Sequence, residues 1–353
     1  MNRFDYVRPA TLPEAIAAGA RQGSAYLGAG TNLLDLMKVG AAAPVTLVDV
    51  TRLPGLDRIE TLANGDVRVG ALVRNADLAF DPAFAAQFPA VAEALLSGAS
   101  PQLRNAATVG GNLLQRTRCS YFYDIASACN RRAPGSGCDA RDGENRLHAV
   151  LGWSERCIAT HPSDFCVPLV ALDAVVEIEG ASGRRELPVA DLHRLPGDAP
   201  EAETVLAPGD LIVAIRLPAA AKAFAAHARY IKLRERTSYA FAVVSAAAAL
   251  DMADDGRIRE PRLALGGVAA KPWRATAAEA ALVGAVPDRA SFARAAEIAL
   301  AEAIPSGDNG FKIELARRIV VRALVRAASG TPERLPALPA SPFAALAGEI
   351  DHG

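Results

Sequence analysis

The chain of 353 residues has no excess of either charge: 38 Lys and Arg against 39 Asp and Glu leave a net charge of −1. No field of one sign is available to recruit nucleic acid or an anionic membrane surface. No apolar run reaches the roughly 18 residues that a bilayer-spanning helix needs. Met1–Tyr6 offers neither an apolar core nor a twin arginine, so no export signal of the chain's own is expected. Aromatic residues are scarce at 5%, and alanine supplies much of the 51% hydrophobic content, a composition expected of a water-soluble chain of two or three domains. No repeat of fixed period is visible. No nucleophile triad, paired acid and base, or hydrolytic metal motif appears, so no residue set for substrate chemistry stands out.

Cysteine is absent from most of the chain, and all five lie in one window: Cys119, Cys129, Cys138, Cys157 and Cys166. Three readings of them stand. Five separate buried thiols would behave as small hydrophobes, but Cys138 follows Pro134-Gly135-Ser136-Gly137, a turn and not a core segment. A structural zinc site usually shows close C-x2-4-C pairs, whereas the successive offsets here are 10, 9, 19 and 9. A [4Fe–4S] cluster needs four thiolates and leaves one cysteine over. Spacing does not choose between zinc and iron, and an odd count makes disulfides the weakest account.

Two glycine turns are the second feature. Tyr26-Leu27-Gly28-Ala29-Gly30-Thr31-Asn32-Leu33-Leu34 runs from an apolar strand through Gly-x-Gly-Thr into a helix, and Thr108-Val109-Gly110-Gly111-Asn112 is a second turn some eighty positions on. Glycine lets backbone N–H groups converge on an anion without Cβ obstruction. The third glycine of the dinucleotide fingerprint is missing, and no βαβ frame follows Asp49. A diphosphate clamped from two sides and a plain strand–turn–helix connection both fit.

Along the chain, a strand is expected near Phe4–Pro9. A helix from Thr11 to about Gln22 follows, with Thr11 capping, Pro13 in the first turn and Glu14 at the positive end. Further strands are expected at Ala25–Leu27, Thr46–Val50, Asp66–Ala71, Ala174–Glu179, Asp210–Pro218, Tyr230–Arg236 and Arg262–Val268. Helices are expected at Asn75–Phe80, Ala90–Leu96, Val167–Leu172, Glu279–Leu282, Phe292–Glu302 and Phe311–Ser329. Ala219–Phe224 is a plausible domain boundary. This divides the chain into residues 1–222, with an insertion at 115–160, then 223–330, then a tail at 331–353.

Leu27-Gly28-Ala29-Gly30-Thr31-Asn32-Leu33-Leu34, Thr108-Val109-Gly110-Gly111-Asn112 and Ser163-Asp164 with Pro168 resemble the FAD-binding medium subunits of the molybdenum hydroxylases, the xanthine dehydrogenase family. Gln115-Arg116-Thr117-Arg118-Cys119, Pro134-Gly135-Ser136-Gly137-Cys138 and Cys157-Ile158-Ala159-Thr160 resemble the FAD and iron–sulfur subunit found in the bacterial periplasmic aldehyde oxidoreductases, enzymes of three different subunits. The resemblance covers residues 1 to about 330.

It implies an α+β architecture: an FAD-binding fold of the vanillyl-alcohol-oxidase type, a small α+β C-terminal domain, and a cysteine-rich cluster-binding insertion. It implies that Tyr26, Leu27, Gly28, Ala29, Gly30, Thr31, Asn32, Leu33 and Leu34 wrap the FAD diphosphate, with Thr108 and Asn112 closing the second side. Asp164 would accept hydrogen bonds from the flavin's hydroxyl-bearing chain, Ile212 would lie against the ring system, and Lys232 would reach the flavin from the second domain. Cys119, Cys129, Cys138 and Cys157 would hold a [4Fe–4S] cluster, with Cys166 a packed core thiol. His148, His161, His193 and His227 are left as structural or surface residues. Aldehyde would be oxidised in a large molybdenum-cofactor subunit, and electrons would arrive through the [2Fe–2S] clusters of a small one. The complex would reach the periplasm with a signal-bearing partner; without one, the chain would stay in the cytoplasm. A self-contained flavin oxidase and a zinc-stapled scaffold are the competing readings.

Overall fold

The computed structural model describes residues 1–333, so the expected tail over 331–353 lies outside the described residues from position 334 onward. Three sheets carry the architecture. The first is parallel, in the order β1-β3-β2, from β1 (Asp5–Val7), β2 (Ser24–Leu27) and β3 (Thr46–Asp49). Parallel neighbours require crossovers, which the helices Leu12–Gly19 and Leu33–Lys38 supply. Thr11 and Glu14 form a reciprocal capping box at the first of these. This helix ends at Gly19, short of the expected Gln22, because the chain turns there: Ser24 N–H reaches Arg21 O at 3.1 Å and delivers the chain into β2.

The second sheet is antiparallel, ordered β4-β5-β8-β6-β7, from β4 (Ile59–Thr61), β5 (Val67–Gly70), β6 (Val175–Gly180), β7 (Gly183–Pro188) and β8 (Leu211–Leu217). The strand β7 has no apolar alternation to betray it. It is an exposed edge whose charges discourage pairing with another chain. One core joins β5, β6 and β8 to the helices Pro89–Ser97 and Cys166–Ala171 through Val69, Ile178, Ile215, Val91, Leu95 and Leu169.

The third sheet, β12-β11-β10-β9, is antiparallel: β9 (Ala228–Leu233), β10 (Val244–Met252), β11 (Ile258–Gly266) and β12 (Trp273–Arg274). Alanine occupies positions 246–249 of β10 and explains its place at the centre. Ala246 and Ala248 face the core made with the helices Thr276–Leu282, Arg289–Ala299 and Phe311–Ala328. Ala247 and Ala249 face the core of the second sheet. A strand buried on both faces alternates between two cores with period 2, and small side chains let both approach. The same period puts Ala228, Tyr230 and Lys232 of β9 on the face turned toward the helix Pro89–Ser97. The segment 115–160 contains one short helix, Ser120–Tyr123, and isolated bridges at Cys129↔Cys138 and Ser154↔Cys157.

Candidate functional site

The two glycine turns meet. The strand β2 delivers the first, where Gly30 at φ 75° takes a left-handed conformation that a side chain disfavours. The second opens the helix Val109–Leu113, capped by the Thr108 hydroxyl, which accepts from Gly111 N–H. A Cβ added at Gly28 would sit 3.2 Å from Thr108 Oγ1, and one added at Gly111 would sit 3.1 Å from the same atom. Thr108 therefore stands where the turns face each other, and substitution on either side would narrow the gap. Gly110 is tighter still: an added Cβ would lie 2.9 Å from Ala71 Cβ.

Two cavities extend from this junction. One of about 210 Å³ is lined by Tyr26, Gly28 to Leu33, Thr108, Gly111, Arg116 and Ile212. The other, about 490 Å³, is lined by Asn75, Asn112, Arg118, Asp164, Lys232 and Phe241 among others. Thr31, Asn32 and Gly111 line both. Of the residues expected around FAD, Leu27 and Leu34 line neither; Leu34 packs its side chain beside Gly30. Ile212 lines the smaller cavity and Lys232 the larger.

The trough suits a dinucleotide by its donor set. Asn32 Oδ1 accepts Arg116 N–H at 2.9 Å, while its buried Nδ2 has no protein partner at the point where the cavities join. Asn75 Oδ1 is likewise buried and unpartnered beside the larger cavity. Buried polar atoms left without partners are rare in folded proteins, and these two face the space where a polar ligand would lie.

Asp164 is held from two directions. Its Oδ1 accepts the Tyr230 hydroxyl at 2.5 Å, and its Oδ2 accepts Lys232 Nζ at 2.8 Å. Lys232 also donates to Ser97 O at 3.1 Å. The Lys232–Asp164 pair is nearly inaccessible and ties β9 to the FAD-binding unit. Each carboxylate oxygen keeps a second lone pair for a ligand hydroxyl. Tyr230, whose hydroxyl pKa is pushed well above the ordinary value by burial and then by Asp164, was not among the expected residues. Its position two residues before Lys232 on the same strand face was the available signal.

Cys119, Cys129, Cys138 and Cys157 line one small chamber together with Phe122, Arg131 and Ile158. Its walls are laced together. Asn130 N–H donates to Gly137 O at 2.7 Å, Gly137 N–H returns to Asn130 Oδ1 at 2.9 Å, and Asn130 Nδ2 reaches Arg156 O at 3.0 Å. Gly137 needs its φ of 103° for this hairpin. Arg132 donates to Tyr121 O and Phe122 O at 2.8 Å each, which fixes the Cys119 segment against the hairpin. The backbone groups of Phe122 and Tyr121 work to lower the Cys119 thiol pKa, and those of Ala140 and Ile158 that of Cys138. As free thiols, Cys119 is pushed up to about 12 by burial and Cys138 is also raised by burial, so ligand binding would have to displace their protons.

Tetrahedral zinc with Zn–S of about 2.3 Å brings its sulfurs to about 3.8 Å of one another. Among the described residues no three of these four sulfurs lie within 4.8 Å of each other. The chamber is therefore spread more widely than a single-ion site. Cys166 lies outside it, fully buried in the helix Cys166–Ala171, with its N–H on Ser163 Oγ.

Cys166 does approach His161 and His193. The hydrogen bonds argue against a ligand set there. His161 Nδ1 accepts Ser163 N–H, which assigns the ring proton to Nε2. His193 Nε2 is bonded to Leu113 O, leaving its Nδ1 as the one imidazole lone pair facing the group. Burial lowers the pKa of both rings, His193 to about 4, and the imidazoles pack with centroids 4.3 Å apart and planes tilted by 60°. His148, expected to be structural, places Nε2 3.2 Å from the Cys119 sulfur.

Comparison with known proteins agrees with this geometry. Residues 2–220 match the FAD binding domain in molybdopterin dehydrogenase, and residues 229–328 match the CO dehydrogenase flavoprotein C-terminal domain. The chain is 47% identical over 330 residues to the aldehyde oxidoreductase FAD-binding subunit PaoB of Escherichia coli (strain K12), covering 93% of this chain and 99% of that one. It is 30% identical to the carbon monoxide dehydrogenase medium chain of Hydrogenophaga pseudoflava, covering 91% and 96%. The reconstituted CO dehydrogenase from Oligotropha carboxidovorans superposes with a TM-score of 0.73 at 25% identity, over 94% of this chain and 99% of the other. With facing glycine turns above a dinucleotide-sized trough and both units of the family matched in order, the chain belongs to the FAD-binding medium subunits of the molybdenum hydroxylases, a family of oxidoreductases.

Proposed function

We propose that this chain is the electron-relay subunit of a molybdenum-dependent aldehyde oxidoreductase built from three different subunits, and that it carries a [4Fe–4S] cluster besides FAD. One observation carries the second half of the proposal. Four cysteines from separate loops share a chamber whose sulfurs are too widely set for one zinc ion, and the Arg131 guanidinium donates to one of them, Cys157 Sγ, at 3.7 Å. Hydrogen bonds to sulfur are a recurring feature of iron–sulfur sites. The aldehyde reading is supported by 47% identity to a subunit whose name states that activity.

Bound FAD can accept electrons singly and release them in pairs, chemistry that belongs to the cofactor. The protein's part is position and field. Gly28 to Leu33, Thr108 and Gly111 supply the close backbone approach for the diphosphate. Asn32 Nδ2 is a donor toward it. Asp164, set by Tyr230 and Lys232, accepts from the hydroxyl-bearing chain in the larger cavity. Ile212 packs against the opposite end, in the smaller one. Arg118 lines the flavin cavity while the next residue, Cys119, lines the sulfur chamber, so the two sites are one residue apart along the chain. A small [2Fe–2S] subunit would deliver electrons, a large molybdenum-cofactor subunit would oxidise aldehyde, and an external acceptor would discharge the flavin. The place of the complex on this reading is the periplasm, reached with a signal-bearing partner; cell fractionation tests it.

The decisive experiment is anaerobic purification of the chain with its natural companions, followed by flavin, iron, sulfide and zinc analysis and a visible spectrum. Flavin bands with an iron–sulfur shoulder, and iron beyond that of the small subunit, are expected. Zinc in the chamber would sink the cluster reading. Cys129→Ala should lose iron while FAD remains; complete loss of FAD with full retention of iron would refute the assignment.

A further inference from the structure

A line of paired charges, buried at its Arg131 end, joins the two sites. Arg116 lines the smaller flavin cavity, and its guanidinium pairs with Glu203. Glu203 Oε2 accepts Arg131 Nη1 at 2.8 Å, and Arg131 Nη2 lies 3.7 Å from the Cys157 sulfur. The Arg131 side chain is only 5% exposed. Arg131 sits within the chamber wall, two residues after Cys129, and is one of the few charged groups there.

From this geometry we infer that Arg131 is a positioning residue that sets the reduction potential of the cluster, and that Glu203 opposes it. The inference rests on the reading that the four thiolates hold a [4Fe–4S] cluster. The physical reason is charge. A cluster gains one negative charge on reduction, and hydrogen bonds to its sulfurs and nearby charge both bias that step. A guanidinium donating to Cys157 Sγ stabilises the reduced form most, because the sulfur is then most electron-rich. Glu203 takes part of that positive charge for itself, and Arg116 shares Glu203 from the flavin side. Water screens Arg131, 5% exposed, far less than Glu203 and Arg116, at 19% and 32%.

The signs are therefore opposite. Arg131→Gln should make the cluster harder to reduce, and Glu203→Gln should make it easier. Each change should alter the ratio of reduced to oxidised cluster at fixed ambient potential by roughly tenfold, which for one electron is about 59 mV. Arg131→Lys, which keeps the charge but loses the planar fork, should fall between Arg131→Gln and the natural protein.

The test is an EPR-monitored redox titration of the assembled enzyme, with iron, sulfide and FAD measured on every sample. Opposed shifts in the two variants, with cofactor contents unchanged, support the inference. Midpoints that stay together, or move in the same direction, overturn it. If Arg131→Gln fails to assemble, the Glu203→Gln shift alone decides: a rise supports the inference and no rise overturns it. Absence of the cluster from the natural protein would instead remove the reading on which it rests, and iron analysis shows that before any titration.

Discussion

Replacing Lys232 with Met should loosen the joint between the two halves of this chain more than any surface substitution. Lys232 Nζ makes two bonds, to Asp164 Oδ2 and Ser97 O, and the Lys232 and Asp164 side chains are 4% and 7% exposed. Removing one partner of a buried pair costs about 3–5 kcal/mol, since the other charge is left without compensation. The low end, about 3 kcal/mol, applies here, because Tyr230 still donates to Asp164 and the carboxylate borders an open cavity. Asp164→Asn should cost a comparable amount by leaving the ammonium with Ser97 O alone. The double variant should cost less than the two singles combined by at least about 1.5 kcal/mol, as expected of directly coupled residues. Urea unfolding of the four proteins, compared at equal slopes, measures this. Additivity to within about 0.5 kcal/mol would show that the pair is not coupled and that β9 is held by its packing alone.

Other outcomes follow from single contacts. Gly110→Ala would push a Cβ to within 2.9 Å of Ala71 Cβ and 3.1 Å of Ala71 O, and Gly111→Val would crowd Thr108 Oγ1 where both cavities meet. The first should destabilise by about 1–3 kcal/mol through overpacking. The second should lower FAD retention on gel filtration while leaving iron in place. Asp49 gives a pH signature. Burial alone would raise its pKa from 3.8, but hydrogen bonds from Thr51, Tyr6 and Arg8 prevail and hold it at about 2. A carboxylate depressed on folding contributes stability above its unfolded pKa and loses it as the pH falls through the folded one. The stability gap between the natural protein and Asp49→Asn should therefore be full near pH 6 and shrink from pH 4 to pH 2. A gap that stays constant across that window would show that Asp49 does not titrate as described.

How much of this was legible in the residues depends on the range of the interaction. Thr11-x-x-Glu14 wrote its own helix cap, and the turn at Gly28–Thr31 could be read as an anion cradle because local backbone sterics decide it. The edge strand β7 escaped notice, since its exposed charges carry no periodic apolar signal. Tyr230 was missed as well, because its meaning comes from a carboxylate 66 positions away. That Ile212 lines the smaller cavity and Lys232 the larger was not legible either, because β8 and β9 belong to different sheets.

The linear order of residues thus determined the two glycine turns, a matter of residue type at short spacing, and, through its resemblance, the family and the four cysteines that line one chamber. Tertiary structure alone decided that Thr108 stands where the turns face each other and that Tyr230 and Lys232 set Asp164. It alone decided that Arg131 turns a buried charge onto Cys157. Those contacts join residues separated along the chain, and only the packing of the folded chain brings them within reach.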